Sequence, residues 1–144
     1  MAFLFMNDEC PICLFYTEKI KKLDSFCTLS KVPFFMVFSG KYSKKKISLF
    51  QRDHDMKKIK ILHDKNFRIA RLFMATTTPE IVFITYPSGQ ILYRGLIDDH
   101  FAAIGEKRLH IHNDYFFSAL NEFLKGEKIR VKHTQPIGCF LEYD

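Results

Sequence analysis

The chain has no tryptophan, no apolar stretch near the ~20 residues that a bilayer-crossing helix needs, and no second CxxC pair. The first absence is met by sixteen phenylalanines in a composition that is 47% hydrophobic, far from the sequences that stay disordered for want of burial. The second excludes a spanning helix, and the opening Met1 to Met6 is too short for a secretory leader and lacks basic residues before it. The direct opening into an apolar strand suggests that a leader or a first hairpin precedes it in a longer protein. The compartment is therefore not legible: extracytoplasmic if a leader is removed, cytoplasmic otherwise. The third absence leaves Cys27, Cys139, His110 and His112 as the only plausible further donors for a zinc ion at Cys10 and Cys13. Repeats, low-complexity segments and long linkers are missing too. The expectation is one domain over 1–144, with the tail 127–144 packed on or near it, burying roughly 68–70% of the unfolded surface.

The net charge of +6 comes mostly from Lys41, Lys44, Lys45, Lys46, Lys57, Lys58 and Lys60. No aromatic-and-basic module of recognised spacing accompanies them, so they are read as a solvated face and no nucleic-acid partner is expected.

Ala2 to Met6 reads as a short buried strand. From Pro11, the positions Ile12, Tyr16, Ile20, Leu23 and Cys27 follow helical spacing and predict one helix. Val32 to Phe38 is a continuous apolar run of the kind covered on both faces of a parallel sheet. A helix over Ser48 to Met56, a strand over Ile59 to Leu62 and a helix over Asn66 to Phe73 follow. Ile81 to Thr85 and Ile91 to Leu96 flank Tyr86-Pro87-Ser88-Gly89-Gln90 and predict a hairpin. Asn113 is placed to cap a last helix through Phe116, Phe117, Leu120, Phe123 and Leu124, with Gly126 at its left-handed stop. The alternation, a β-α-β-α-β-β-α unit, makes the class α/β.

Asp8-Glu9-Cys10-Pro11-Ile12-Cys13 falls where the first strand meets the first helix, with Pro11 at the first helical position. Cys10 then becomes the N-cap, its sulfur facing unpaired amides and the positive end of the helix dipole, which favours the thiolate. Cys13, one turn on, reaches back to it. A disulfide across so small a loop contributes only ~2 kcal/mol in the chain-entropy view, so a structural staple would be poorly placed and redox use is the favoured reading. Asp8 and Glu9 are expected to oppose thiolate formation. Cys27 is assigned to the core. Asp98, Asp99 and His100 are read as capping a turn, and His110 with His112 as a weak metal-pair signal that stays off the site.

With Thr76-Thr77-Thr78-Pro79-Glu80 ahead of the hairpin, the order strand, CPIC, helix, Thr-Pro, hairpin resembles the thioredoxin superfamily. The resemblance implies a thioredoxin-like fold with a central mixed sheet flanked by helices. It further implies a cis bond before Pro79 and a substrate chain pairing with the backbone of Thr78. The expected catalytic residues are Cys10 and Cys13, and the expected substrate-contacting positions Pro11, Ile12, Thr78 and Pro79. Thr78-Pro79-Glu80, Tyr93-Arg94-Gly95-Leu96-Ile97-Asp98-Asp99 and Thr134-Gln135-Pro136-Ile137-Gly138-Cys139 look more narrowly like a bacterial redoxin subgroup of the alkyl hydroperoxide reductase and thiol-specific antioxidant branch. That subgroup ends in a similar Gly-Cys segment. Cys139 is accordingly a second resolving thiol, a disulfide tie for the tail or an inert tail thiol, the last being favoured.

Two departures stand out. Glu9 replaces the tryptophan common before CxxC in thioredoxins, which argues against a strong oxidant. Phe3 and Asn7 stand where peroxiredoxins have Pro and Thr. The implied function is thiol–disulfide exchange with protein thiols, protein disulfides or a redox partner protein, without a cofactor and with no bound metal. The alternatives are a peroxiredoxin-like thiol peroxidase and a non-enzymatic copper- or zinc-binding module.

Overall fold

A computed structural model describes residues 1–143; Asp144, the last residue of the tail 127–144, lies outside the described residues. The chain runs β1 (Ala2–Met6), α1 (Pro11–Phe15), α2 (Thr17–Leu29), β2 (Phe34–Ser39), α3 (Lys44–Asp53), β3 (Lys60–Asp64) and α4 (Arg68–Leu72). It continues through β4 (Thr77–Thr78), β5 (Glu80–Ile84), β6 (Ile91–Gly95), β7 (Phe101–Ala103), β8 (Glu106–Lys107), α5 (Tyr115–Leu124) and β9 (Cys139–Phe140). The central sheet has the order β3-β2-β1-β5-β6. β1 and β2 pair in parallel, as do β2 and β3, while β5 runs antiparallel to both β1 and β6. The α/β class, with a central mixed sheet flanked by helices, is as expected.

The continuous apolar runs of β1 and β2 are explained by burial on both faces. Along β1, Ala2, Leu4 and Met6 join a core with Ile20 and Leu23 of α2, Phe50 of α3 and Phe116 and Leu120 of α5. Phe3 and Phe5, pointing the other way, join Phe67, Ala70 and Phe73 around α4. Cys27 sits in the first core as expected, where burial and then the nearby Asp24 charge push its thiol up to about 12.

Several boundaries differ from the sequence reading. The single helix predicted from Pro11 divides at Tyr16, whose amide is shared between the carbonyls of Ile12 at 3.3 Å and Cys13 at 3.1 Å. The third helix starts earlier than Ser48 because the Ser43 side chain accepts from the Lys46 amide and caps it. The residue at the N-cap of α5 is Asp114 rather than Asn113. Gly126 does take the left-handed conformation just past that helix, at φ +70°. The short strands β4, β7, β8 and β9 were not foreseen. The lysines of the basic stretch are exposed, and no helix among the described residues is long and apolar enough to cross a membrane.

Candidate functional site

β1 delivers the chain to the cysteine pair through Asn7, whose side-chain oxygen accepts from the Glu9 amide at 2.8 Å and turns the backbone into α1. Cys10 occupies the N-cap with extended backbone, and Pro11 follows at the first helical position. Cys13, one turn deeper, is fully buried. The opposite wall is the Thr76–Pro79 loop, whose Thr78–Pro79 bond is cis. The Cys10 thiol lies 3.3 Å from the Thr78 carbonyl, to which it donates when protonated.

A buried carboxylate shapes that loop. Glu80, with no exposed surface, accepts from the amides of Thr76 at 2.9 Å and Thr77 at 3.3 Å, and pairs with the Arg94 guanidinium at 2.6 Å. The three segments that carried the narrower resemblance thus meet in space. Arg94 of the second holds Glu80 of the first, and Thr134 of the third accepts from the Leu96 amide at 2.8 Å. Gly95, at φ +131°, has no room for a side chain because a Cβ there would lie 2.2 Å from the Thr134 carbonyl oxygen.

The sequence reading favoured an inert tail thiol at Cys139, and the structure places it in the site instead. β9 pairs antiparallel with β4, setting Cys139 opposite Thr78 and Phe140 opposite Thr77. Thr78 Oγ1 donates to the Cys139 carbonyl at 3.3 Å, and the Leu141 amide donates to the Thr76 carbonyl at 2.9 Å. The Cys139 thiol donates to Cys10 Sγ at 2.7 Å. The two lie 129 positions apart in sequence, beyond the reach of any local pattern.

The three sulfurs differ in acidity. The Cys10 thiol is lowered from an ordinary 9.0 to about 4; the Cys13 thiol beside it is the largest cause, and the Cys139 thiol and both backbones add to it against the cost of burial. Burial, then the hydrogen bond and charge of Cys10, raise Cys13 well above 9.0. The same three causes raise Cys139 to about 11. The lowered Cys10 thiol favours its thiolate, to which the Cys139 thiol donates. The opposition expected from Asp8 and Glu9 is met by Lys46, whose ammonium lies 3.1 Å from Asp8 and 2.9 Å from Glu9.

Of the expected contact positions, Pro11 is exposed, Ile12 packs into the core, and Thr78 and Pro79 are buried beneath the tail. Cys10 itself retains 1% exposure, whereas Cys139 borders an open cavity of about 590 Å³ with Asn7, Tyr42 and Phe67. Asp98 and Asp99 organise turns, accepting from the amides of His100 at 2.9 Å and His112 at 2.8 Å. Among the described residues no cluster of three or more His, Cys, Asp or Glu side chains is placed to hold a metal.

No family model and no curated protein matches the chain. Solved structures do. An uncharacterized conserved protein from Geobacillus kaustophilus superposes with a TM-score of 0.86 at 19% identity, over 99% of this chain and 76% of that one. A putative thioredoxin from Neisseria meningitidis gives 0.57 at 18% identity, over 66% and 62%. A secreted disulfide oxidoreductase from Mycobacterium tuberculosis, homologous to E. coli DsbE, gives 0.52 at 16% identity, over 62% and 63%. At these identities the likeness is one of fold, and the fold is thioredoxin-like.

Proposed function

We propose that this chain is a thiol–disulfide oxidoreductase acting on protein thiols and disulfides, with Cys10 as the attacking sulfur and Cys13 as the resolving one. The observation that carries the reading is the placement of the Cys10 sulfur at the N-cap of α1, one turn from buried Cys13 and 3.3 Å from the carbonyl of Thr78 in the cis-proline loop. The Cys10 thiolate attacks a partner disulfide, forms a mixed disulfide and releases one partner thiol. Cys13 then attacks Cys10 Sγ, releases the second partner thiol and leaves the Cys10–Cys13 disulfide. The reverse sequence oxidises a partner dithiol. The solved disulfide oxidoreductase and putative thioredoxin of the same fold support this chemistry as the first reading to test.

Lowering of the Cys10 thiol favours the reduced dithiol over the disulfide, a contribution in the oxidising direction. Lys46 offsets part of the charge of Asp8 and Glu9, and neither carboxylate is among the causes that set the Cys10 thiol. The unit that performs the exchange is, in this reading, a single domain over 1–144 of the bacterial redoxin subgroup, with the tail an integral part. The Thr134 and β9 contacts support that view.

Thr78 and Pro79 contact the partner chain in this scheme, beside exposed Pro11. Covalent trapping tests it. With Cys13→Ala and Cys139→Ala combined, Cys10 is expected to hold a disulfide-containing partner as a mixed disulfide that reductant releases. No adduct on Cys10, or equal adduct yield after Cys10→Ser, contradicts the assignment.

A further inference from the structure

We infer that the tail is an internal substrate of this site: β9 occupies the strand position that an outside chain would take, and Cys139 forms a reversible disulfide with Cys10. The inference rests on the exchange chemistry proposed above and adds a third redox sulfur to it.

Four observations carry it. The tail pairs with the backbone of the Thr76–Pro79 loop as an antiparallel strand, in a register that sets Cys139 directly opposite Thr78. That register brings the two sulfurs to 2.7 Å, against about 2.05 Å for a bonded pair. The close approach depends on a missing side chain, since a Cβ on Gly138 would lie 2.0 Å from the Thr78 carbonyl oxygen and 3.2 Å from the Pro79 ring. The strand is also held beyond the cysteine, by the Tyr143 hydroxyl on the Ala75 carbonyl and by the Tyr143 ring 5.2 Å from Phe67. A chance contact of a loose terminus would have none of these supports.

Cys10 is covered by the tail, while Cys139 faces the cavity beside Asn7, Tyr42 and Phe67. An external disulfide therefore reaches Cys10 only when β9 lifts from β4. Once Cys10 carries a mixed disulfide, the returning Cys139 thiolate attacks Cys10 Sγ and expels the partner sulfur as a thiol, closing Cys10–S–S–Cys139. From there Cys13 attacks Cys10 Sγ and returns Cys139 to its thiol, giving the Cys10–Cys13 disulfide with no change in oxidation level. Alternatively an external thiolate attacks Cys139 from the cavity and expels the Cys10 thiolate, the better leaving group of the two. A second external thiol then frees Cys139 as a thiol, and the two donors leave joined as a disulfide.

The test is disulfide mapping of the reduced full chain after exposure to oxidised glutathione, acid quenching, alkylation and non-reducing digestion. In Cys13→Ala the expected product is the Cys10–Cys139 linkage with the glutathione adduct on Cys10 only transient; adding Gly138→Ala is expected to make that adduct persist. In the unmutated chain, limiting oxidant is expected to yield Cys10–Cys139 alongside Cys10–Cys13, a result that depends on no variant folding. A lasting adduct on Cys10 with Cys139 free in Cys13→Ala, and no Cys10–Cys139 linkage in the unmutated chain, overturns the internal substrate and leaves the exchange chemistry standing. An unmutated chain in which Cys10 forms no disulfide of any kind overturns both.

Discussion

A cysteine sulfur becomes a useful nucleophile when its neighbours prefer it charged, and Cys10 has two thiols and two backbone segments doing so. Ultraviolet thiolate absorbance of the reduced chain is expected to persist as pH falls and to fade only through about 4, and Cys10→Ser is expected to abolish that transition. Cys13→Ala is expected to move the midpoint up most, because the Cys13 thiol is the largest cause of the low value, and Cys139→Ala to move it up by less. An unfolded thiol holds its proton up to its ordinary 9.0, so between that value and about 4 the unfolded chain binds the extra proton. The stability this group contributes is complete above the unfolded value and lost as pH falls through about 4. Of these residues, Cys10 and Cys13 were legible because their spacing and Pro11 are local signals. Lys46 as the partner of Asp8 and Glu9 was not, since it reaches them from another element and reads in sequence as one more solvated lysine.

At the scale of elements, the site depends on how the Thr76–Pro79 loop is held. Glu80 gathers two amides of that loop and pairs with Arg94 across the hairpin formed by β5 and β6. Glu80→Gln removes the charge that Arg94 was placed to meet. It is expected to cost about 3 kcal/mol, the lower end of the range for breaking a buried pair, in urea unfolding followed by far-ultraviolet circular dichroism. A loss below about 0.5 kcal/mol, the scale of an ordinary surface substitution, would show that the loop is held some other way. The long elements were readable because two-sided burial writes continuous apolar runs in β1 and β2, and because α5 carries a regular apolar stripe ended by Gly126. The two-residue strands were not. β4 and β9 are too short for any period to emerge, and they exist only because the tail finds the loop. The division at Tyr16 was equally hidden, because the apolar spacing runs through it without a change of face.

For the molecule as a whole, the sheet presents its cysteine loop and its cis-proline loop at one place, and the tail crosses over both. The fold class followed from alternation of strands and helices together with the order of CPIC and Thr-Pro. The occupancy of the site by the chain's own end did not, because it is a tertiary event joining residues at opposite ends of the sequence. Everything proposed for the site depends on Cys10 and Cys13 cycling between dithiol and disulfide. Equilibrating the full chain in glutathione redox buffers and mapping the Cys10–Cys13 linkage by mass tests it most directly. The expected result is a reversible two-electron transition within the buffer range. A Cys10–Cys13 linkage that never forms across the whole buffer range, with both thiols still alkylated after unfolding, would rule that cycle out.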